Sequence, residues 1–217
     1  MKIFIDTANL NEIRKAKALG LVDGVTTNPT LIAKEGEETE SLIRKIAKEV
    51  KGPVNVEVTG MVCEEIVKEA RVMATWGDEI VIKIPINQEG LKAVKSLSSE
   101  RIMTNVTLLF SASQAILAAK AGATYICPFV GRLDDISFNG IELIQQIMGI
   151  YDNYDEIKTQ IIVASVRNPI HVIDAGLIGA EIVTIPPAII EQMAKHPLTD
   201  KGIAQFLEDA KKIGIKK

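Results

Sequence analysis

The sequence predicts one α/β domain over residues 1–217, a closed (β/α)8 TIM barrel with an extra C-terminal helix. Three observations predict it. Short runs of branched apolar residues alternate with helical periodicity from one end of the chain to the other, which calls for a parallel sheet covered by helices. Eight strand-like runs occur, which suits a closed barrel better than an open doubly wound sheet. No Pro/Gly/Ser-rich linker, low-complexity tract or longer repeat divides the chain. At 217 residues the barrel is small for its class.

The elements follow in order. "KIFID" is the first strand, and Asn9 to Leu19 places Leu10, Ile13 and Ala16 to Ala18 on one side of a helix behind an Asn or Thr cap. "GVTT" is the second strand; the "TTNPT" that ends it carries an Asn-Pro turn signal. A helix over Glu38 to Val50 leads to "VNVEV", and one over Glu64 to Ala74 leads to "IVIKIP". Gln88 to Leu97 precedes "RIMTNVT", Ser111 to Ala121 precedes "YICPF", and Ile136 to Tyr151 precedes "IIVASV". Pro169 to Ala175, "IVTIP" and Pro187 to Ala194 complete the eight units. A ninth helix, Asp200 to Lys211, is placed to cover a site or a neighbouring subunit.

Composition narrows the partners. A net charge of −3 with dispersed charges gives no basic field for nucleic acid, so a small-molecule partner is expected. "MKIFIDTANL" lacks a signal-peptide core, and no run reaches the ~18 apolar residues of a membrane span, so the expectation is a soluble, cytoplasmic protein. Cys63, Cys127, His171 and His196 are the only cysteines and histidines, too few for a disulfide framework or a histidine-rich metal site.

The fourth strand raises the functional question. "EIVIKIPIN" reads as a strand buried on both faces, yet Lys83 stands at its centre between Ile82 and Ile84. A buried, unpartnered ammonium costs several kcal/mol unless it gives up its proton. Strand alternation gives Lys83 company: Asp6 on the first strand, Thr26 and Asn28 across the end of the second, Glu57 on the third, and Asn105 and Thr107 on the fifth. Cys127 and Phe129 share a face of the sixth, and Ser165 and Arg167 of the seventh. Most lie near C-terminal strand ends, where barrel active sites are built. Singly, Lys83 can reach to solvent, Asp6 can cap a helix, and Arg132 or Arg167 can form a surface ion pair. Convergence of Asp6, Glu57, Lys83, Asn105 and Thr107 on one end is not explained that way.

A lysine in an apolar barrel has its charged form disfavoured, and its free amine can attack a carbonyl to form an imine. The protonated imine stabilises the carbanion left when a neighbouring carbon-carbon bond breaks, and no metal or other cofactor is needed. Asp6 and Glu57 are the carboxylates available for proton transfer, Thr107 for holding a water, and Asn28 and Asn105 for substrate hydroxyls. Arg132 and Arg167, with Ser165, form a candidate phosphate edge, because guanidinium matches phosphate in fork geometry.

Taken together, "IFIDTAN", "GVTTNPTLI", "VNVEVTG", "VIKIP", "NVTLLFS", "PFVGRLDD" and "ASVRNP" resemble, in order and over essentially the whole chain, the short subgroup of the transaldolase family, which includes fructose-6-phosphate aldolases. The resemblance implies a metal-free Schiff-base enzyme with Lys83 as nucleophile and Asp6 as acid/base, with Glu57 and Thr107 handling the catalytic water. It implies that Asn28 and Asn105 line the dihydroxyacetone pocket and that Arg132, Ser165 and Arg167 bind sugar phosphate. It further implies a ring-shaped homo-oligomer, a pentamer or decamer. Aldolases of the subgroup carry glutamine and tyrosine where this chain has Glu57 and Phe129, so transfer is favoured over release of dihydroxyacetone. Cys127 departs from the expected serine or alanine, and can pack as a small hydrophobe or donate weakly to substrate. The expected function is transaldolase; the alternatives are fructose-6-phosphate aldolase and a non-catalytic sugar-phosphate-binding barrel.

Overall fold

A computed structural model describes residues 1–213. Residues 214–217, the end of the expected 1–217 domain, lie outside the described residues. Eight parallel strands close into a barrel in sequence order: β1 Lys2–Asp6, β2 Gly24–Thr26, β3 Val54–Glu57, β4 Ile80–Pro85, β5 Thr104–Leu109, β6 Tyr125–Pro128, β7 Gln160–Val163 and β8 Ile182–Ile185. β1 pairs with β8 through Phe4 and Thr184, which closes the ring.

Eleven α-helices accompany the strands among the described residues: α1 Leu10–Ala18, α2 Pro29–Glu35, α3 Thr39–Glu49, α4 Cys63–Met73, α5 Gln88–Ser99, α6 Ala112–Ala121, α7 Val130–Asp134, α8 Gly140–Tyr151, α9 Pro169–Leu177, α10 Pro187–Ala194 and α11 Pro197–Lys212. Two departures from the sequence reading bear on the site. The Asn-Pro signal marks a helix start: Asn28 Oδ1 accepts from Leu31 N at 3.0 Å and Pro29 occupies the first turn of α2. The predicted helix from Ile136 begins at Gly140, and the short α7 before it carries Arg132.

Alternation divides the apolar residues into two cores. Ile5, Val25, Val56, Ile82, Ile84, Ile126 and Val183 face the helices and are fully buried. Phe4, Val81, Tyr125, Cys127, Ile162, Ala164 and Ile182 fill the lumen. The lumen plug sits below the polar residues, so the barrel is solid at one end and polar at the other.

Strict alternation fails at two places. Leu108 in β5 has φ 54° and Ser165 just beyond β7 has φ 59°, both left-handed for non-glycine residues. Register between β5 and β6 shifts between Val106 and Leu109. On β7 and just past its end the inward residues are Ile162 and Ala164, not the pair inferred from alternation; the left-handed turn at Ser165 resets the phase and brings Ser165 and Arg167 to the mouth. Strain of this sort, ~1–3 kcal/mol per residue, concentrates at functional sites.

α11 contrasts with the rest. None of its 16 residues is buried, and Leu198, Ile203, Phe206 and Leu207 are exposed on it. Among the described residues no helix is long and apolar enough to cross a membrane.

Candidate active site

Backbone register brings the central residues together. Glu57 is opposite Lys83 on adjacent strands, and Lys83 is opposite Asn105. Ile82 and Ile84 anchor β4 in the outer core, which forces the lysine between them into the lumen. Lys83 is 4% exposed, with Nζ 3.0 Å from Glu57 Oε2 and donating to the Thr27 carbonyl oxygen at 3.1 Å. The amine is therefore buried but not alone: the Glu57 carboxylate and one carbonyl replace the water it lost.

Asp6 lines the same cavity as the lysine. Thr26 Oγ1 donates to Asp6 Oδ1 at 2.8 Å and stands 2.6 Å from Thr184 Oγ1, so the Thr184 hydroxyl donates in turn to Thr26. Burial pushes the Asp6 carboxyl above the ordinary aspartate value, against the opposing effects of the Thr26 hydrogen bond and the Lys83 charge. A helix-cap role for Asp6 is not what the structure shows, because Asn9 caps α1.

A cavity of about 240 Å³ is lined by Asp6, Thr26, Asn28, Lys83, Cys127 and Thr184 on the barrel side and by Phe129, Arg132, Ser165 and Arg167 at the mouth. An adjoining hollow of about 450 Å³ shares Asn28, Lys83, Phe129 and Arg132 and adds Glu57 and Leu108. Lys83 stands where the two meet. Hollows of about 660 and 690 Å³ lie elsewhere and contain none of these residues, so size does not mark the site.

Asn105 and Thr107 are wholly buried and line neither space. Asn105 Nδ2 donates to Asn55 Oδ1 at 2.8 Å, while Asn105 Oδ1 and Thr107 Oγ1 have no partner among the described residues. Cys127 packs in the lumen plug, and burial pushes its thiol up to about 12, so it is a neutral, unreactive sulfur. It also lines the cavity, so both expected roles, packing as a small hydrophobe and donating weakly to substrate, are compatible with its position.

The mouth holds the cations. Arg132 lies 4.9 Å from the centroid of the Phe129 ring, which Phe110 meets edge-on at 5.8 Å. Arg167 pairs with Asp135 at 2.9 Å, and its backbone N–H donates to His171 Nδ1 at 3.3 Å. His171 Nε2 lies 2.9 Å from Asp134, so this ring joins the start of α9 to the end of α7. Gly131 has no room for a side chain there: a Cβ would come within 2.2 Å of the Ser165 carbonyl oxygen and 2.6 Å of Arg167 Cγ. No three His, Cys, Asp or Glu side chains among the described residues are grouped to hold a metal ion.

Residues 3–217 match the model of the Transaldolase/Fructose-6-phosphate aldolase family. The chain belongs to this family. Relatives span it almost entirely. A probable transaldolase of Maridesulfovibrio salexigens is 57% identical over 213 residues, 98% of this chain and 99% of its own. One from Caldicellulosiruptor saccharolyticus is 57% identical with 98% of both chains covered, and one from Desulforapulum autotrophicum is 58% identical over 212 residues, again 98% of both.

Within this family member, sequence reasoning passed over several groups that shape the site. Thr184, Asn55, the Thr27 carbonyl and the His171–Asp134 contact are among them. The alternation that turns Glu57 inward does the same for Asn55, and applied to "IVTIP" it marks Thr184.

Proposed function

We propose that this chain is a transaldolase. It takes a dihydroxyacetone unit from sedoheptulose 7-phosphate and passes it to glyceraldehyde 3-phosphate, giving erythrose 4-phosphate and fructose 6-phosphate, a step of the pentose phosphate pathway. The observation that carries the reading is the buried Lys83 nitrogen 3.0 Å from Glu57, with Asp6 lining the same cavity.

Lys83 Nζ gives a proton to Glu57 and attacks the ketose carbonyl carbon. Glu57 returns the proton as the carbinolamine hydroxyl leaves as water, and the Thr107 hydroxyl, which has no partner among the described residues, holds that water. Asp6 accepts the proton of the hydroxyl on the far carbon of the bond that breaks, where the new aldehyde carbonyl forms. The bonding pair passes into the imine, leaving an enamine on Lys83 and releasing erythrose 4-phosphate. The enamine carbon then attacks the incoming aldehyde, Asp6 protonates its oxygen, and hydrolysis frees fructose 6-phosphate and the lysine. A carboxyl raised by burial suits this alternation between acid and base. Asn28 lines the pocket beside Thr26, and Arg132, Ser165 and Arg167 bind the phosphate at the mouth.

Transfer is favoured over aldol cleavage because Phe129 has no hydroxyl to activate a water at the enamine, and its ring is enclosed by Phe110 and Arg132. Fructose 6-phosphate supplied without an acceptor aldehyde is expected to yield little free dihydroxyacetone, measured by a coupled reductase assay. Release as fast as transfer would make the chain an aldolase instead.

The protein acts in the cytoplasm as a homo-oligomer, a pentamer or decamer, in which the exposed apolar residues of α11 are covered by a neighbouring copy. Light scattering on purified protein is expected to give a mass several times 23.6 kDa, and a monomer's mass would contradict the assembly.

A further inference from the structure

Arg132 and Arg167 stand on separate elements, so the phosphate edge is only as well defined as the spacing between them. α7, which carries Arg132, has five residues and is fastened at both ends. At its start the Val130 and Gly131 backbone N–H groups donate to the Ala164 and Ser165 carbonyl oxygens at 3.0 and 3.1 Å. These bonds involve no side chain. At its end Asp134 meets His171 Nε2 at 2.9 Å, and the next residue, Asp135, meets Arg167.

The two contacts at that end differ in kind. Arg167 and Asp135 are both more than half exposed, so their pair is weak in water, and a bound phosphate competes with Asp135 for the same guanidinium. His171 holds the backbone instead. It is buried, its own N–H is taken by the Asn168 Oδ1 that caps α9, and its Nδ1 accepts from the Arg167 N–H at 3.3 Å. A backbone N–H can only donate, so Nδ1 is bare and the ring proton sits on Nε2, which gives it to Asp134. Asp134 Oδ1 is in turn taken by the Gly140 N–H at 2.9 Å. One ring thus ties the Arg167 backbone to the far end of α7, and this tie survives when the guanidinium turns from Asp135 to phosphate.

We propose that His171 is a positioning residue for the phosphate edge: bonded through both ring nitrogens, it fixes the spacing of Arg167 from Arg132 and so governs affinity for the phosphate group of the sugar substrates. It lines neither hollow and acts only through the arginines. The proposal rests on the assignment of Arg132 and Arg167 to phosphate above.

The test measures two quantities in wild type, His171→Leu, His171→Asn and His171→Gln. One is the inhibition constant of inorganic phosphate. The other is donor kcat/KM for fructose 6-phosphate and for unphosphorylated fructose, with erythrose 4-phosphate as acceptor. His171→Leu, which has neither nitrogen, is expected to weaken phosphate inhibition by about tenfold, the scale of one hydrogen bond. Its kcat/KM on fructose 6-phosphate should fall by a like factor through KM, with kcat and the fructose value held within about twofold. Asparagine keeps an acceptor near the Nδ1 position but falls short of Asp134, whereas glutamine reaches Asp134 and gives up the Nδ1 acceptor. Because both nitrogens are needed, each amide variant should lose at least about threefold in phosphate affinity. Should His171→Leu fail to fold, the two amide variants carry the test. Equal losses on the two donors, or a smaller loss of phosphate affinity in either amide variant, overturns the proposal. Wild-type phosphate inhibition in Arg132→Ala and Arg167→Ala would instead overturn the phosphate assignment beneath it.

Discussion

Replacing Lys83 by methionine is expected to lower turnover by at least about 10⁴-fold, because the covalent step has no substitute when its nucleophile is gone. The fold should survive. Methionine has a similar reach and no branching, so it can occupy the space between Glu57 and the lumen plug. The loss falls on Glu57, left without its partner 3.0 Å away. Breaking a fully buried pair costs ~3–5 kcal/mol, but the Glu57 side chain is 14% exposed and lines the adjoining hollow, so water and a proton can reach it. A cooperative thermal transition with a modest fall in Tm, alongside lost turnover, is the expected pair of results. Normal turnover in Lys83→Met would remove the basis of the mechanism.

Asp6→Asn is expected to separate activity from stability. Activity should fall by ~10²–10⁴-fold, the usual contribution of a positioned acid/base group. Stability should hold or rise. Burial raises the Asp6 carboxyl above its unfolded value, so over the interval between the two values the folded chain binds more protons than the unfolded chain. Its contribution to stability is therefore lost as pH rises through that interval and stays lost at neutral pH. Asparagine removes the titration: the variant should match or exceed wild type at pH 7, and its advantage should shrink as the solution is made acidic. Denaturant melts at several pH values measure this. An Asp6→Asn protein destabilised at neutral pH, with an unchanged dependence on pH, would show that the carboxylate serves the fold instead. Such an exchange of stability for function is common where catalysis needs a buried charge.

The contrast between Lys83 and Ser165 shows what the sequence made legible. Lys83 interrupts a run in which both neighbours must be buried, so its direction follows from alternation alone, and Glu57 and Asn105 follow by the same rule on adjacent strands. Asp6, Thr26 and Asn28 were accessible in this way, as was the barrel itself. Ser165 and Arg167 reach the mouth by a different route, through a left-handed residue that breaks the alternation which suggested them. Nothing in "ASVRNP" announces a positive φ at serine. Leu108 is a similar case in β5.

Hydrogen bonds across the lumen were hidden for another reason. In a tilted barrel the neighbours inside the lumen are set by stagger as well as by sequence order, so Asn55 meets Asn105 two strands away and Thr184 meets Thr26 across the closing seam. The partner of a polar side chain is a property of the closed ring. The apolar surroundings expected of Lys83 are corrected in the same way, since the strand's own residues say nothing of the carboxylate and carbonyl that its neighbours bring.

Trapping the imine tests the central claim most directly. Incubation with fructose 6-phosphate and sodium borohydride, followed by intact-mass and peptide measurements, should give a single covalent adduct located on Lys83 and absent from Lys83→Met. No gain in mass, or an adduct on a different lysine, would contradict the account.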